Sequence, residues 1–265
     1  MCWERSLPTT SGLSQKFAAR AHYCLIWSVG LFQRRTSSSF TISGPRIGNR
    51  AGDCNENRGN ARRVQLRCQE QSKVLNYLEC YGPRFFKRRI RWAEDQCRAG
   101  RLLQAELKIG SIVDFGCGIG TILQGMAEGG CRVLGLEHNA ALARRHSPIP
   151  ECIVQGDVAA PISLGCFEWA MSIEVAEHIP TASSSQLVAN LTKHAERGII
   201  FSAAVPGQRG TGHINCQPPS YWRDLFYEHQ FNYNPTVSER LRRLMAECTR
   251  LAWLQENLMI FERKG

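Results

Sequence analysis

The segment Val113-Asp114-Phe115-Gly116-Cys117-Gly118-Ile119-Gly120-Thr121 constrains this chain more than any other. Three glycines at alternate positions follow a short apolar run and precede a helix-periodic stretch. Glycine lets a backbone turn sharply and approach a ligand with no side chain between them. A helix that starts directly after such a turn presents its free N–H groups to that ligand. Strand, glycine turn and helix in that order separate the pattern from a chance Gly-x-Gly. A dinucleotide fingerprint, Gly-x-Gly-x-x-Gly, would need glycine at 121, where the chain has Thr121.

The alternation continues downstream. Strands are predicted over 111–115, 131–137, 152–156, 167–175 and 198–205, with helices over 121–128, 140–145, 184–196 and 219–230. Strands separated by helices imply crossover connections and a largely parallel sheet covered on both faces. The tail changes the rhythm: strands over 231–234 and 257–263 flank a helix over 237–248, so one strand can insert antiparallel. The expected fold is α/β, a three-layer sandwich around a mostly parallel seven-stranded sheet.

Charge divides along the chain. The 265 residues carry +10 overall, with 43% apolar content that suffices for a core and excludes a mainly disordered chain. Residues 1–68 hold 11 Lys+Arg against 3 Asp+Glu, 69–100 hold 7 against 4, and 101–265 hold 15 against 16. The predicted α/β domain, 101–265, is therefore near neutral. The excess sits in a basic 1–68 segment, read as disordered or targeting, and in a 69–100 lead-in of one or two helices. The first of these is rich in Arg and Ser and poor in acids, a composition that matches an organellar transit segment. That reading makes the protein intracellular, organellar (mitochondrion or plastid) if the segment is a transit peptide and cytoplasmic otherwise. The longest apolar stretch, 24–32, is too short to span a bilayer, so no membrane insertion is expected.

Twelve cysteines are scattered with no Cys-x-x-Cys pair, which removes zinc-ribbon spacing. Reduced thiols are expected, with Cys131, Cys152 and Cys166 buried at strand starts. The sequon Asn190-Leu191-Thr192 falls in a predicted helix and is read as chance.

The Asp-x-Gly-x-Gly-x-Gly run resembles the first motif of class I (Rossmann-like) S-adenosylmethionine-dependent methyltransferases, and the likeness extends over 110–264. Two acids follow in order: Glu137 ends the second predicted strand, and Asp157 ends the third in Val154-Gln155-Gly156-Asp157-Val158. An acid at the first position can accept hydrogen bonds from ribose hydroxyls. By the resemblance Asp157 meets the adenine amino group and Asp114 reaches the amino end of the cofactor's methionine part. Gly116, Cys117, Gly118 and Gly120 form the cradle, and Leu136 and Val158 flank the adenine. The implied cofactor is S-adenosyl-L-methionine.

On the substrate side, Glu174-Val175-Ala176-Glu177-His178 resembles a stretch of many small-molecule and RNA methyltransferases. The chain lacks an Asn/Asp-Pro-Pro-Tyr/Phe run and a Pro-Cys nucleophile, which disfavours N-methylation of adenine and attack on pyrimidine carbon. Methyl transfer from a sulfonium is an in-line displacement, so positioning supplies much of the catalysis. A base is needed when the acceptor must lose a proton. His178 is the candidate, with Glu174 one helical turn away to orient it.

The loop 206–218 carries the substrate candidates Gln208, His213 and Asn215. His213 and Cys216 alone do not make a metal site, and none is expected. A small-molecule acceptor methylated on oxygen or nitrogen is the leading reading. RNA held through the basic stretch 84–91 is one alternative, and a methyltransferase-like binding or scaffold protein without turnover is another. For that stretch an amphipathic helix, the spacing of Phe85, Arg89 and Trp92 placing rings on a packed face and cations in solvent, is preferred over a nucleic-acid grip.

Overall fold

The computed structural model describes residues 81–265. The expectations for 1–68, and for 69–80 of the lead-in, lie outside the described residues. Two helices come first, α1 (Pro83–Arg89) and α2 (Ala93–Leu107), joined by a 3-10 turn. The alternation then runs β1 (Ser111–Phe115), α3 (Thr121–Glu128), β2 (Arg132–Glu137), α4 (Ala140–Arg144), β3 (Ile153–Gln155), β4 (Phe167–Ile173), α5 (Ser184–His194) and β5 (Ala195–Ser202). It closes with α6 (Pro219–Glu228), β6 (Phe231–Tyr233), α7 (Pro235–Cys248), α8 (Ala252–Asn257) and β7 (Met259–Arg263).

The seven strands lie in the order β3-β2-β1-β4-β5-β7-β6. The first five pair in parallel, and β7 inserts antiparallel between β5 and β6. Strand alternation sorts the core into two layers, because neighbouring side chains point to opposite faces. Val113, Phe115, Ala170, Ile199, Phe201 and Phe261 pack with Leu187, Val188 and Leu191 of α5 and with Trp222 and Phe226 of α6. Ile112, Trp169, Met171, Ile200 and Ile260 pack on the other face with α2, α3, α7 and α8. The three-layer sandwich is thus formed.

Boundaries shift where pairing overrides local pattern. Residues 195–196, expected at the end of a helix, belong to β5: Ala195 pairs with Phe167, and Arg263 donates to the carbonyls of Thr192 and Ala195. Residues 203–205 leave the sheet because pairing to β4 and β7 stops at Ser202 and Phe201. Helix α8 was not anticipated, since six residues are too few to establish a period. Cys131 is buried as expected, but Cys166 is exposed.

Helices α2 and α3 touch through backbone. A Cβ on Gly125 would stand 1.9 Å from the Cys97 carbonyl oxygen, and one on Gly100 would stand 2.0 Å from that of Ile122. Gly125→Ala should therefore force the helices apart and destabilise by about 1–3 kcal/mol, as overpacking does. Helix propensity alone predicts a gain of up to about 1 kcal/mol. Urea unfolding decides between the two signs. Among the described residues, no helix is long and apolar enough to cross a membrane.

Candidate active site

The strand order places a topological switch between β1 and β4, from which connections run outward in both directions, and open α/β sheets bind ligands at such a crevice. A cavity opens there, lined by Asp114, Gly116, Cys117, Gly118, Glu137, Asp157, Val158, Glu174 and His178.

The turn after β1 is held by main chain. The N–H groups of Gly116 and Cys117 donate to the Leu136 carbonyl at 2.8 and 3.1 Å. Gly116 and Gly118 have φ of +89° and +57°, which non-glycine residues adopt at a cost. A Cβ on Gly116 would strike Val175, whereas one on Gly118 would meet no atom within 4 Å and project into open space. Glu137 locks the turn from β2: its two carboxylate oxygens accept from the N–H of Gly118 at 2.9 Å and of Asn139 at 3.1 Å. Asp114 is buried beneath, and its Oδ1 has no hydrogen-bond partner. Burial, then the Glu137 carboxylate, push its pKa well above the ordinary carboxylate range. The Cys117 thiol is likewise raised by burial and stays protonated.

Asp157 caps its own turn, its Oδ1 accepting from the Ala159 N–H at 2.9 Å. The loop behind it hangs on Asn190, whose Nδ2 donates to the carbonyls of Val158 and Ala160. Asn190 is 2% exposed, which accounts for the sequon as a structural asparagine. Leu136 does not line the cavity as expected. It faces the core, because the strand turns it to the side opposite Glu137.

The cavity continues into an outer basin over Glu174, Glu177, His178, Gln208 and His213, with Arg88, Arg89, Arg91 and Arg209 around it. Glu174 follows β4 with φ +53°, so it is not one helical turn from His178, and the expected orienting bond between them is not formed. Glu174 Oε1 accepts instead from Asn257 Nδ2 at 3.3 Å. His178 is oriented by the loop: Nδ1 stands 3.2 Å from the Gly212 carbonyl. A carbonyl only accepts, so Nδ1 carries the proton and the Nε2 lone pair is free. Burial pushes the His178 pKa down to about 4, which keeps it neutral near pH 7 and makes it a weak proton acceptor.

Glu177 is wholly buried and neither carboxylate oxygen makes a close hydrogen bond; burial, reinforced by Glu174 and opposed by looser approaches to the backbone of Glu177 and Ala204, pushes its pKa up to about 8. Gln208 and His213 lie on the basin wall, Gln208 Oε1 accepting from Val205 and Asn257. Asn215 is not a wall residue. It is 1% exposed and fully engaged with Ala176, Ser184, Thr181 and Gln217, a staple of its own loop.

Sequence reasoning missed Arg89, Trp253 and Asn257. Arg89 leaves the solvent face of α1 to line both spaces, its guanidinium 4.5 Å over the Phe85 ring. Burial lowers its pKa, against the raising effect of Tyr81, Glu174 and Glu137.

The profile of a methyltransferase-domain family matches residues 113–201, the span from the glycine turn to the end of β5. Over that span, about a third of the chain, the sequence matches a methyltransferase domain. Two solved structures share this fold. Magnesium protoporphyrin IX methyltransferase from Synechocystis PCC 6803, with bound S-adenosylhomocysteine, aligns at 17% identity and TM-score 0.50, over 68% of this chain and 88% of that one. An O-methyltransferase family protein from Burkholderia thailandensis aligns at 8% identity and TM-score 0.52, over 68% and 58%. At such identities the likeness is one of fold. No curated protein sequence matches the chain.

Proposed function

We propose that this methyltransferase methylates an oxygen or nitrogen of a small acceptor bearing an anionic group. The carrying observation is the continuity of two spaces, an acid-lined inner cavity and an arginine-rimmed outer basin, meeting at Glu174 and His178. When bound, S-adenosylmethionine supplies a sulfonium methyl group that leaves behind a neutral thioether.

The residues of the inner cavity fit that donor. Asp114 Oδ1, buried without a partner, suits an ammonium group. Glu137 retains acceptor capacity on both oxygens for ribose hydroxyls. Asp157 uses Oδ1 for its own turn, and the second oxygen suits an exocyclic amine. Gly118 leaves room for close approach, and Cys117 and Gly120 complete the loop. Val158, buried at the cavity edge, is the apolar flank for a ring, without Leu136.

In the basin, Arg89 pairs with an acceptor's carboxylate or phosphate, with the more exposed arginines at the mouth adding long-range attraction. Glu174 and His178 orient the acceptor at the junction with the inner cavity. Coproduction of the thioether is measured with full-length protein against carboxylated and phosphorylated small molecules, neutral analogues and short oligoribonucleotides. Turnover of anionic small molecules is expected, and Arg89→Met should raise KM about tenfold, the loss of one charged hydrogen bond. Turnover confined to oligoribonucleotides would transfer the reading to RNA and the exposed Arg84, Lys87, Arg88 and Arg91.

A further inference from the structure

Three side chains on the basin wall converge from two separate segments. One ligand-type atom each from Glu177, His178 and His213 lies within 4.8 Å of the others. Glu177 Oε1 and His178 Nε2 are 3.6 Å apart. Ligands at about 2.1 Å from one cation stand about 3–4.2 Å apart, so this pair is already at the right separation. The third, from His213, lies within 4.8 Å of both.

The surroundings are those of a ligand set. A ligating histidine commonly donates its other N–H to a carbonyl, which fixes the ring and its tautomer. Here the Gly212 carbonyl holds His178 Nδ1 at 3.2 Å and the Gln208 carbonyl holds His213 Nδ1 at 3.1 Å. Gly210 permits the placement of His213, since a Cβ there would stand 2.0 Å from ring atom Nε2. Glu177 is the independent observation. Its side chain is 0% exposed, and neither oxygen makes a close hydrogen bond, with only looser approaches to the backbone of Glu177 and Ala204 and to the Glu174 carboxyl. Buried acids are ordinarily paired or bound to metal. The backbone carbonyl of Glu177 also accepts from the N–H groups of Ile214 and Asn215, tying the two segments together. Arg89 faces these acids from α1, Glu174 lies beside them, and Cys216 Sγ is 3.7 Å from His213 Nδ1.

We propose that Glu177, His178 and His213 bind a divalent first-row transition-metal cation on the wall of the outer basin. Two imidazoles and one carboxylate suit Zn²⁺ or Mn²⁺ better than Ca²⁺ or Mg²⁺. Three protein ligands leave coordination positions open to water or substrate. On the functional reading above, on which this role rests, an acceptor hydroxyl would become a ligand and release its proton to solvent water more readily, because a bound cation lowers the pKa of coordinated oxygen. The neutral His178 is then a ligand rather than the base.

The test uses full-length protein stripped with chelator and titrated calorimetrically with Mn²⁺ and with Zn²⁺ alone. Glu177→Gln and His213→Ala are compared with wild type, and S-adenosylhomocysteine is titrated separately into all three. One cation per chain is expected, with affinity about 100-fold lower in each variant and thioether binding unchanged. A rise in wild-type Tm with cation, absent from the variants, is the second readout. Failure of stripped wild type to bind either cation overturns the proposal, as does wild-type affinity in either variant. Absence of thioether binding overturns the cofactor reading instead, and the cation titration is read independently of it.

Discussion

Asp114→Asn is expected to weaken S-adenosylhomocysteine binding by about 10- to 100-fold while making the empty protein more stable near neutral pH. The first half follows from losing a charged partner for the ligand's ammonium group, worth about 1.5–3 kcal/mol at about 1.4 kcal/mol per tenfold. The second half follows from burial. Asp114 is 4% exposed with an unpartnered oxygen, and its carboxyl is raised well above its ordinary value. A carboxyl raised in the folded state contributes stability that is full below its unfolded pKa, about 3.9, and is lost as pH rises through the folded pKa. Asparagine never ionises, so the variant's Tm advantage should shrink toward zero as pH falls to about 4. Ligand affinity in wild type should rise with pH across the folded pKa, because the proton competes with the ammonium group. Thermal unfolding across that range checks the first trend and calorimetry the second. A Tm below wild type at every pH would contradict this account of Asp114.

Glu137→Ala is expected to raise the dissociation constant at least about 100-fold and to cost about 1–3 kcal/mol of stability. The carboxylate does two jobs: it accepts from the N–H groups of Gly118 and Asn139, and it offers its remaining lone pairs to the cavity. Truncation leaves two donors without a partner, and an orphaned donor costs about 1–3 kcal/mol. The loop that Gly118 shapes is then free to open, so binding loses both a direct contact and a preorganised wall. Glu137→Gln keeps one acceptor and should lose only about tenfold, about one charged hydrogen bond's difference. Equal losses for both substitutions in calorimetry would show that charge alone matters.

What was legible in the chain follows physical rules of short range. The bounds of β1 and α3 agree with the sequence reading because glycines punctuate both ends of the turn between them. Asp114, Glu137 and Asp157 reach one cavity because three successive parallel strands end on the same side. Leu136 was misread for an equally simple reason: adjacent residues of a strand face opposite ways, so the neighbour of a cavity acid belongs to the core. The left-handed backbone of Glu174 was not foreseeable, as nothing local to Glu174-Val175 demands it.

Contacts between remote segments were beyond reach. Asn257, at the end of α8, donates to both Glu174 and Gln208, and Trp253 packs at 5.5 Å against Trp92 beside the basin. His213 was visible only as a histidine in a glycine-rich loop, and its meeting with Glu177 and His178 required the tertiary fold. Arg89 belonged to a run of cations that reads as a solvated face. Its inward turn depends on the Phe85 ring and on acids contributed by other segments.

Isothermal titration of full-length protein with S-adenosylhomocysteine tests the central claim most directly. One saturable site per chain is predicted, weakened in Asp114→Asn and more severely in Glu137→Ala. No heat and no thermal shift at saturating ligand, from protein with a cooperative unfolding transition, would contradict the account.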